Sequence, residues 1–225
     1  PRIPSHTLTN GLVSVSFPVL SKMQHDISYM RTNYRRMIRL SVFVVFPLMV
    51  GLAAIARPLT IVLVTEKWID SVILMQLICF SMMWFPVHSL NGNVLVVTGR
   101  SGYVLKLEIA KKLIGLTVMC CSLPFGLVAL CSAGILASIL TLFVNTYYTK
   151  KIIDLGIGQQ LKDILPIFLN SCIMGALCIL VQLPFDNNVI KIVVAVVCGA
   201  IYYYSSSFVI SRGEANELLN ILKRK

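Results

Sequence analysis

Three groups of polar residues in this 225-residue sequence sit where side chains could do chemistry. Arg31, Arg35 and Arg39 recur every fourth residue. On a helix they advance by about 40° per step and share one face, with Tyr34 and Arg36 beside it. Guanidinium forks match the paired oxygens of a phosphate or diphosphate, so the stripe reads as a surface for an anionic substrate. Orientation in the bilayer and contact with anionic lipid account for the stripe more simply. In the second group, Glu108, Lys111 and Lys112 fall within a sector of about 100°, while Lys106 points the other way. Glu108 can pair with Lys111 at i,i+3 and with Lys112 at i,i+4. The third group surrounds Pro86: Trp84, His88, Asn91 and Asn93 interrupt an otherwise apolar run, and His88 and Asn91 share a face. Such a broken, polar helix fits the substrate and gating elements of transporters. Interhelical hydrogen bonds that hold a bundle together fit it too.

Catalysis finds little support. There is no G-x-S-x-G, no HExxH, no P-loop and no carboxylate pair inside an apolar run. Asp26, Glu66 and Asp70 stand in connectors without an evident acid or base partner. The seven cysteines all lie in apolar runs, form no CxxC and have no His beside them, so they read as small buried hydrophobes. Neither a metal nor a cofactor is expected.

The elements that must position these groups are apolar rods. Hydrophobic residues make up 57% of the chain and charged ones 13%, and the mean hydropathy is +0.83. A soluble domain would need a charged surface that most of this chain cannot supply. Leu40 to Ala56 is uncharged; as a helix it spans about 26 Å, close to the hydrocarbon thickness of a bilayer. Similar runs predict spans over residues 3–21, 40–56, 71–98, 103–121, 126–148, 164–183 and 192–211. Residues 113–149 are all uncharged, too many for one span. Pro124 and Gly126 divide them, because Pro lacks a donor and Gly tolerates a turn. Lys112 then lies about 13 Å along its helix from Tyr103, past the headgroups. The Glu108–Lys111–Lys112 patch either faces a wet cavity or snorkels to the interface. Asn145 and Gln182, near span ends, are read as interhelical hydrogen-bonders. The segment Arg57 to Asp70 reads as a short connector, with Trp68 as a headgroup-level anchor.

Charge sets the orientation. Sixteen of the twenty Lys and Arg residues fall in alternate connectors, and only Arg2, Arg57, Lys67 and Lys191 fall in the others. By the positive-inside rule the first run crosses from outside to inside and the C-terminus is cytoplasmic. The net charge of +11 is thus accounted for by topology, and no nucleic-acid partner is implied. The runs lack period-two alternation, which argues against a barrel. The expected fold class is all-α, a polytopic bundle of about seven spans.

The segment FPVLSKMQHDISYMRTNYRRMIRLSVFVVFPLMVGLAAIARPLTIVLVTEKW, followed by LNGNVLVVTGRSGYVLKLEIAKK, resembles the polysaccharide-transport (Wzx-like) oligosaccharide flippases. These belong to the superfamily that also holds the multidrug and toxin extruders. The likeness rests on FPxLS before a charged connector, FPLMxGL in the next span, the KW pair and the TGR-S at a cytoplasmic end. It covers most of residues 1–160; the last two spans match in hydropathy alone. The resemblance implies one lobe of a two-lobed, alternating-access transporter in a bacterial inner membrane. Its substrate would be an undecaprenyl-diphosphate-linked oligosaccharide, with membrane lipids and a missing N-terminal lobe as the other partners. The chain opens at Pro1 within an apolar segment, so it is expected to be a fragment or a processed product. Rival readings are a cation extruder, which would need buried acids where Glu108 is flanked by lysines, and a membrane enzyme of polysaccharide assembly. A lipid II flippase would be hard to tell from the leading reading.

Overall fold

The computed structural model describes residues 27–210, with side chains through Ser207. The expected span 3–21, Lys22 and the tail from Arg212 to Lys225 lie outside the described residues. Apolar length dictates the elements. Where a run of residues has no polar side chain to satisfy its backbone, the helix does so internally, and among the described residues every long element is helical.

Helix α1 covers Ile27–Ala54 and keeps Pro47 within it. A short α2, Ala56–Val64, follows at once, and a 3₁₀ turn, Glu66–Trp68, closes it. Helices α3, Ser71–Met82, and α4, Phe85–Val97, replace the single expected span 71–98. The break falls at Met83 and Trp84, just before Pro86, whose missing donor suits the first turn of a helix. Then come α5, Ser101–Ser122, the turn Leu123–Phe125, and α6, Gly126–Ile153. Gly126 has φ +86°, a conformation that strains other residues, so the divider read from the sequence falls at a real turn. Helices α7, Ile157–Gln182, and α8, Asn188–Ile210, complete the described chain.

By length and composition, five helical stretches among the described residues could cross a membrane. The one of 53 residues, Ser101–Ile153, is broken at Leu123–Phe125 and comprises two of the expected spans. Two boundaries differ from expectation. Arg57 and Pro58 look like a connector but lie in the first turn of α2, because Pro is tolerated there and five of the six residues that follow it are apolar. Helix α1 also begins well before Leu40. Met30, Tyr34, Ile38, Val42 and Phe46, four apart, are all buried and extend its apolar face through the basic segment.

The chain divides into two compact units. The first holds the described residues up to Val42 together with Ser81–Ile164. In it α5 and α6 form an antiparallel hairpin, with the Tyr103 and Tyr148 rings 5.7 Å apart where the hairpin ends meet. Helix α6 also packs on α4, and Ser81 and Ser138 share a hydrogen bond of 3.2 Å.

The second unit holds Phe43–Phe80 and the described residues from Leu165 onward. Helix α2 packs on α8. A Cβ on Gly175 would lie 2.5 Å from a Val50 methyl group, so the later part of α7 meets α1 where only glycine fits. Tyr203 donates to the Phe43 carbonyl at 2.8 Å, and the two rings stand 5.2 Å apart. Gln182 donates to the Cys178 carbonyl at 2.7 Å and to the Ala54 carbonyl at 3.3 Å.

Candidate functional site

The first turns of α1 and α7 bring the arginine stripe against a matching set of acceptors within the first unit. Arg35 grips Asp163 with both sides of its fork: Nε to Oδ2 and Nη2 to Oδ1, each at 2.7 Å. Arg39 Nη1 lies 3.8 Å from the same Oδ1. Arg31 donates to Gln159 Oε1 at 2.8 Å, and its Nη1 is 3.9 Å from Asp154. The spacing explains the fit, because Gln159 and Asp163 are four residues apart on α7, as Arg31 and Arg35 are on α1. Exposure is uneven. The side chains of Arg35 and Arg39 are 38% and 39% exposed, while that of Asp163 is 8% exposed. Asp154 is 84% exposed; it caps α6 in the left-handed conformation at φ 51°, which Asp tolerates.

One residue around the helix from this comb lies a neutral network. Tyr34 and Thr149 both donate to Asn91 Oδ1, at 2.7 and 2.6 Å. The Asn91 and Gln160 amides face each other at 3.4–3.5 Å, and Thr146 donates to Gln160 at 3.3 Å. Tyr34, Asn91 and Thr149 are each 0% exposed. Helices α1, α4, α6 and α7 are thereby tied at one point. Of the Pro86 group, Asn91 is thus a bundle hydrogen-bonder, and His88 Nδ1 meets Asn145 Nδ2 at 3.0 Å.

The Glu108–Lys111 pair forms along α5, with Lys111 Nζ 2.9 Å from Glu108 Oε1. The Lys111 side chain is only 20% exposed and that of Glu108 52%, while Lys112 is exposed. Among the described residues no group of three metal-ligating side chains occurs.

The second unit carries an apolar pocket of about 640 Å³. Phe43 and Pro47 of α1, Ile55 between α1 and α2, Met174 of α7, and Gly199 and Tyr203 of α8 line it.

Sequence reasoning missed Asp163, Gln159 and Gln160, because they fall in a segment whose charges read as a topology marker. The four-residue spacing shared with the arginines was the signal available.

Helices of this length and composition define an all-α, multi-pass membrane protein. Over residues 1–73 the sequence matches the family described as "Polysaccharide biosynthesis protein". It is similar to the teichuronic acid biosynthesis protein TuaB of Bacillus subtilis (strain 168). The identity is 21% over 206 residues, covering 89% of this chain and 43% of that protein. It is also similar to the lipopolysaccharide biosynthesis protein WzxC of Escherichia coli (strain K12), at 24% identity over 109 residues, covering 48% of this chain and 22% of that one. Among solved structures, the lipid II flippase MurJ in an inward closed conformation superimposes with a TM-score of 0.72 at 20% identity. That match covers 92% of this chain and 45% of MurJ. The chain spans less than half the length of these relatives. The resemblance to the polysaccharide-transport flippases is upheld, and the TuaB match runs beyond the region that the motifs covered.

Proposed function

We propose that this chain is one lobe of an alternating-access flippase that moves an undecaprenyl-diphosphate-linked oligosaccharide from the cytoplasmic to the periplasmic leaflet. The observation that carries this reading is the Arg31–Arg35–Arg39 comb, in which three guanidinium groups face one buried and one exposed carboxylate. Guanidinium groups so placed suit a dianionic headgroup, whose passage through hydrocarbon unaided is forbidding. Glu108, Lys111 and Lys112 add charge on α5, and His88 and Asn91 belong to the packing that supports the comb. The charge bias supports a cytoplasmic comb and C-terminus. The apolar pocket of the second unit suits an isoprenoid tail. Among the described residues the buried acid Asp163 is already paired with Arg35, and Glu108 with Lys111, so neither stands ready for an organic cation.

The test is complementation by the complete reading frame that contains this chain, in a strain lacking it. Arg35→Ala is expected to lower surface polysaccharide at least tenfold, a loss of about 1.4 kcal/mol of transition-state stabilisation, while membrane insertion stays intact. Undiminished polysaccharide at normal protein level would return the comb to the role of an orientation marker.

A further inference from the structure

We propose that Asp163 is a positioning residue of the anion site: its carboxylate holds the Arg35 fork as a tethered stand-in for phosphate, and an arriving diphosphate displaces it towards Arg39. The inference rests on the diphosphate reading given above and adds a residue and a two-state element to it.

The geometry points this way for three reasons. A carboxylate and a phosphate offer the same pair of oxygens to a guanidinium fork, and Asp163 fills both positions of the Arg35 fork at 2.7 Å. The arginines are reachable where the carboxylate is not: Arg35 and Arg39 are more than a third exposed, and Asp163 is nearly covered. A ligand therefore meets the fork from the open side while Asp163 backs it. Finally, a second guanidinium already stands next to the carboxylate. Arg39 Nη1 is 3.8 Å from Asp163 Oδ1, longer than a charge-assisted hydrogen bond and short enough to close by a rotamer change.

Exchange of partners then keeps the Asp163 carboxylate covered. Before it, Asp163 neutralises Arg35, and Arg31 leans on the neutral Gln159 amide at 2.8 Å. After it, Asp163 closes on Arg39. Arg31 and Arg35, about 6 Å apart between Cβ atoms at i,i+4, together take the two phosphates. An ion with more charge and more oxygens than a carboxylate displaces it from Arg35 without leaving it uncompensated. Both arrangements are discrete, which is what a ligand needs in order to bias a conformational equilibrium.

The experiment uses the complete protein in nanodiscs of phosphatidylcholine, with a short polyprenyl diphosphate as probe and calorimetry as readout. Removing the competing carboxylate by Asp163→Asn is expected to tighten binding roughly tenfold, within the ordinary range of coupling between linked sites. Arg35→Ala is expected to weaken it by a similar factor. If Arg35→Ala weakens binding and Asp163→Asn leaves it unchanged or weaker, the exchange is overturned and Asp163 is purely structural. If the wild type does not take up the probe, or Arg35→Ala binds it normally, the anion-site reading itself falls. A response to phosphatidylglycerol as large as that to the diphosphate assigns the comb to a lipid headgroup and likewise overturns the proposal. Should Asp163→Asn not fold, the Arg35 Nε–H resonance of the wild type, assigned by its loss in Arg35→Lys, serves in its place. It shifts on titration with the probe if the fork changes partner, and a stationary resonance overturns the exchange.

Discussion

Tyr34 and Arg35 are consecutive on α1, yet one ends in a fully buried neutral network and the other in a half-exposed ion pair. Both reach helix α7, Tyr34 by way of Asn91 and Gln160, and Arg35 through Asp163. The neutral set has no water-facing side and no spare charge, so its contribution is to hold four helices in one register. The ionic set has an open side and half-exposed cations, so its strength depends on salt and on competing anions. Burial, rather than residue type alone, separates the neutral network from the ionic one here.

The comparison breaks first at Asn91. Replacing it by Leu strands the buried Tyr34 hydroxyl and the Gln160 Nε2 group, and leaves the Thr149 hydroxyl only its bond to the Asn145 carbonyl. A loss of about 3 kcal/mol is expected, since each stranded buried group costs roughly 1–3 kcal/mol less whatever relaxation recovers. Unfolding in detergent measures it, and Tyr34→Phe should recover part of the loss because it removes one stranded hydroxyl. An Asn91→Leu protein as stable as the wild type would mean that the network holds nothing.

How much of this was legible in the sequence follows the same division. Apolar length and the Pro124–Gly126 divider placed the helices well, because a membrane leaves the backbone no other way to satisfy itself. The arginine stripe, the Glu108–Lys111 pair and the shared face of His88 and Asn91 follow from helical spacing, so those near neighbours could be seen. The partners could not. Asp163 is 128 positions from Arg35 in sequence, and no local period says which acid a stripe of arginines will meet. Helix α2 was hidden for a different reason: Arg57–Pro58 carries the signs of a boundary, and only packing against α8 shows that it starts a helix.

Salt sharpens the contrast at the next level of effect. Asp163→Ala leaves Arg35 and Arg39 facing each other without their shared carboxylate, and a cost of about 1–2 kcal/mol is expected after allowing for the water that reaches the arginines. Raising the salt from tens of millimolar towards molar should erase most of the stability difference between Asp163→Ala and the wild type, because the screening length falls from about 30 Å at 0.01 M to about 3 Å at 1 M. The Asn91→Leu deficit should not move over the same range. Equal salt responses of the two variants would remove the distinction between the clusters.

The smallest stability effect, and the one that isolates function, is expected on α5. The Glu108–Lys111 pair is an i,i+3 contact with Glu108 half exposed, so either residue changed to Ala should cost only about 0.3 kcal/mol. Yet Lys111 is mostly covered although charged, an arrangement that snorkelling towards water does not favour. If its ammonium faces a wet cavity that the substrate crosses, Lys111→Ala in the complete protein lowers surface polysaccharide severalfold with an unchanged melting temperature, and Lys111→Arg restores it. If the stem merely fills space, Lys111→Met matches the wild type in both measurements. The two outcomes differ in the polysaccharide readout alone, so they decide whether a covered charge on α5 belongs with the comb or with the packing.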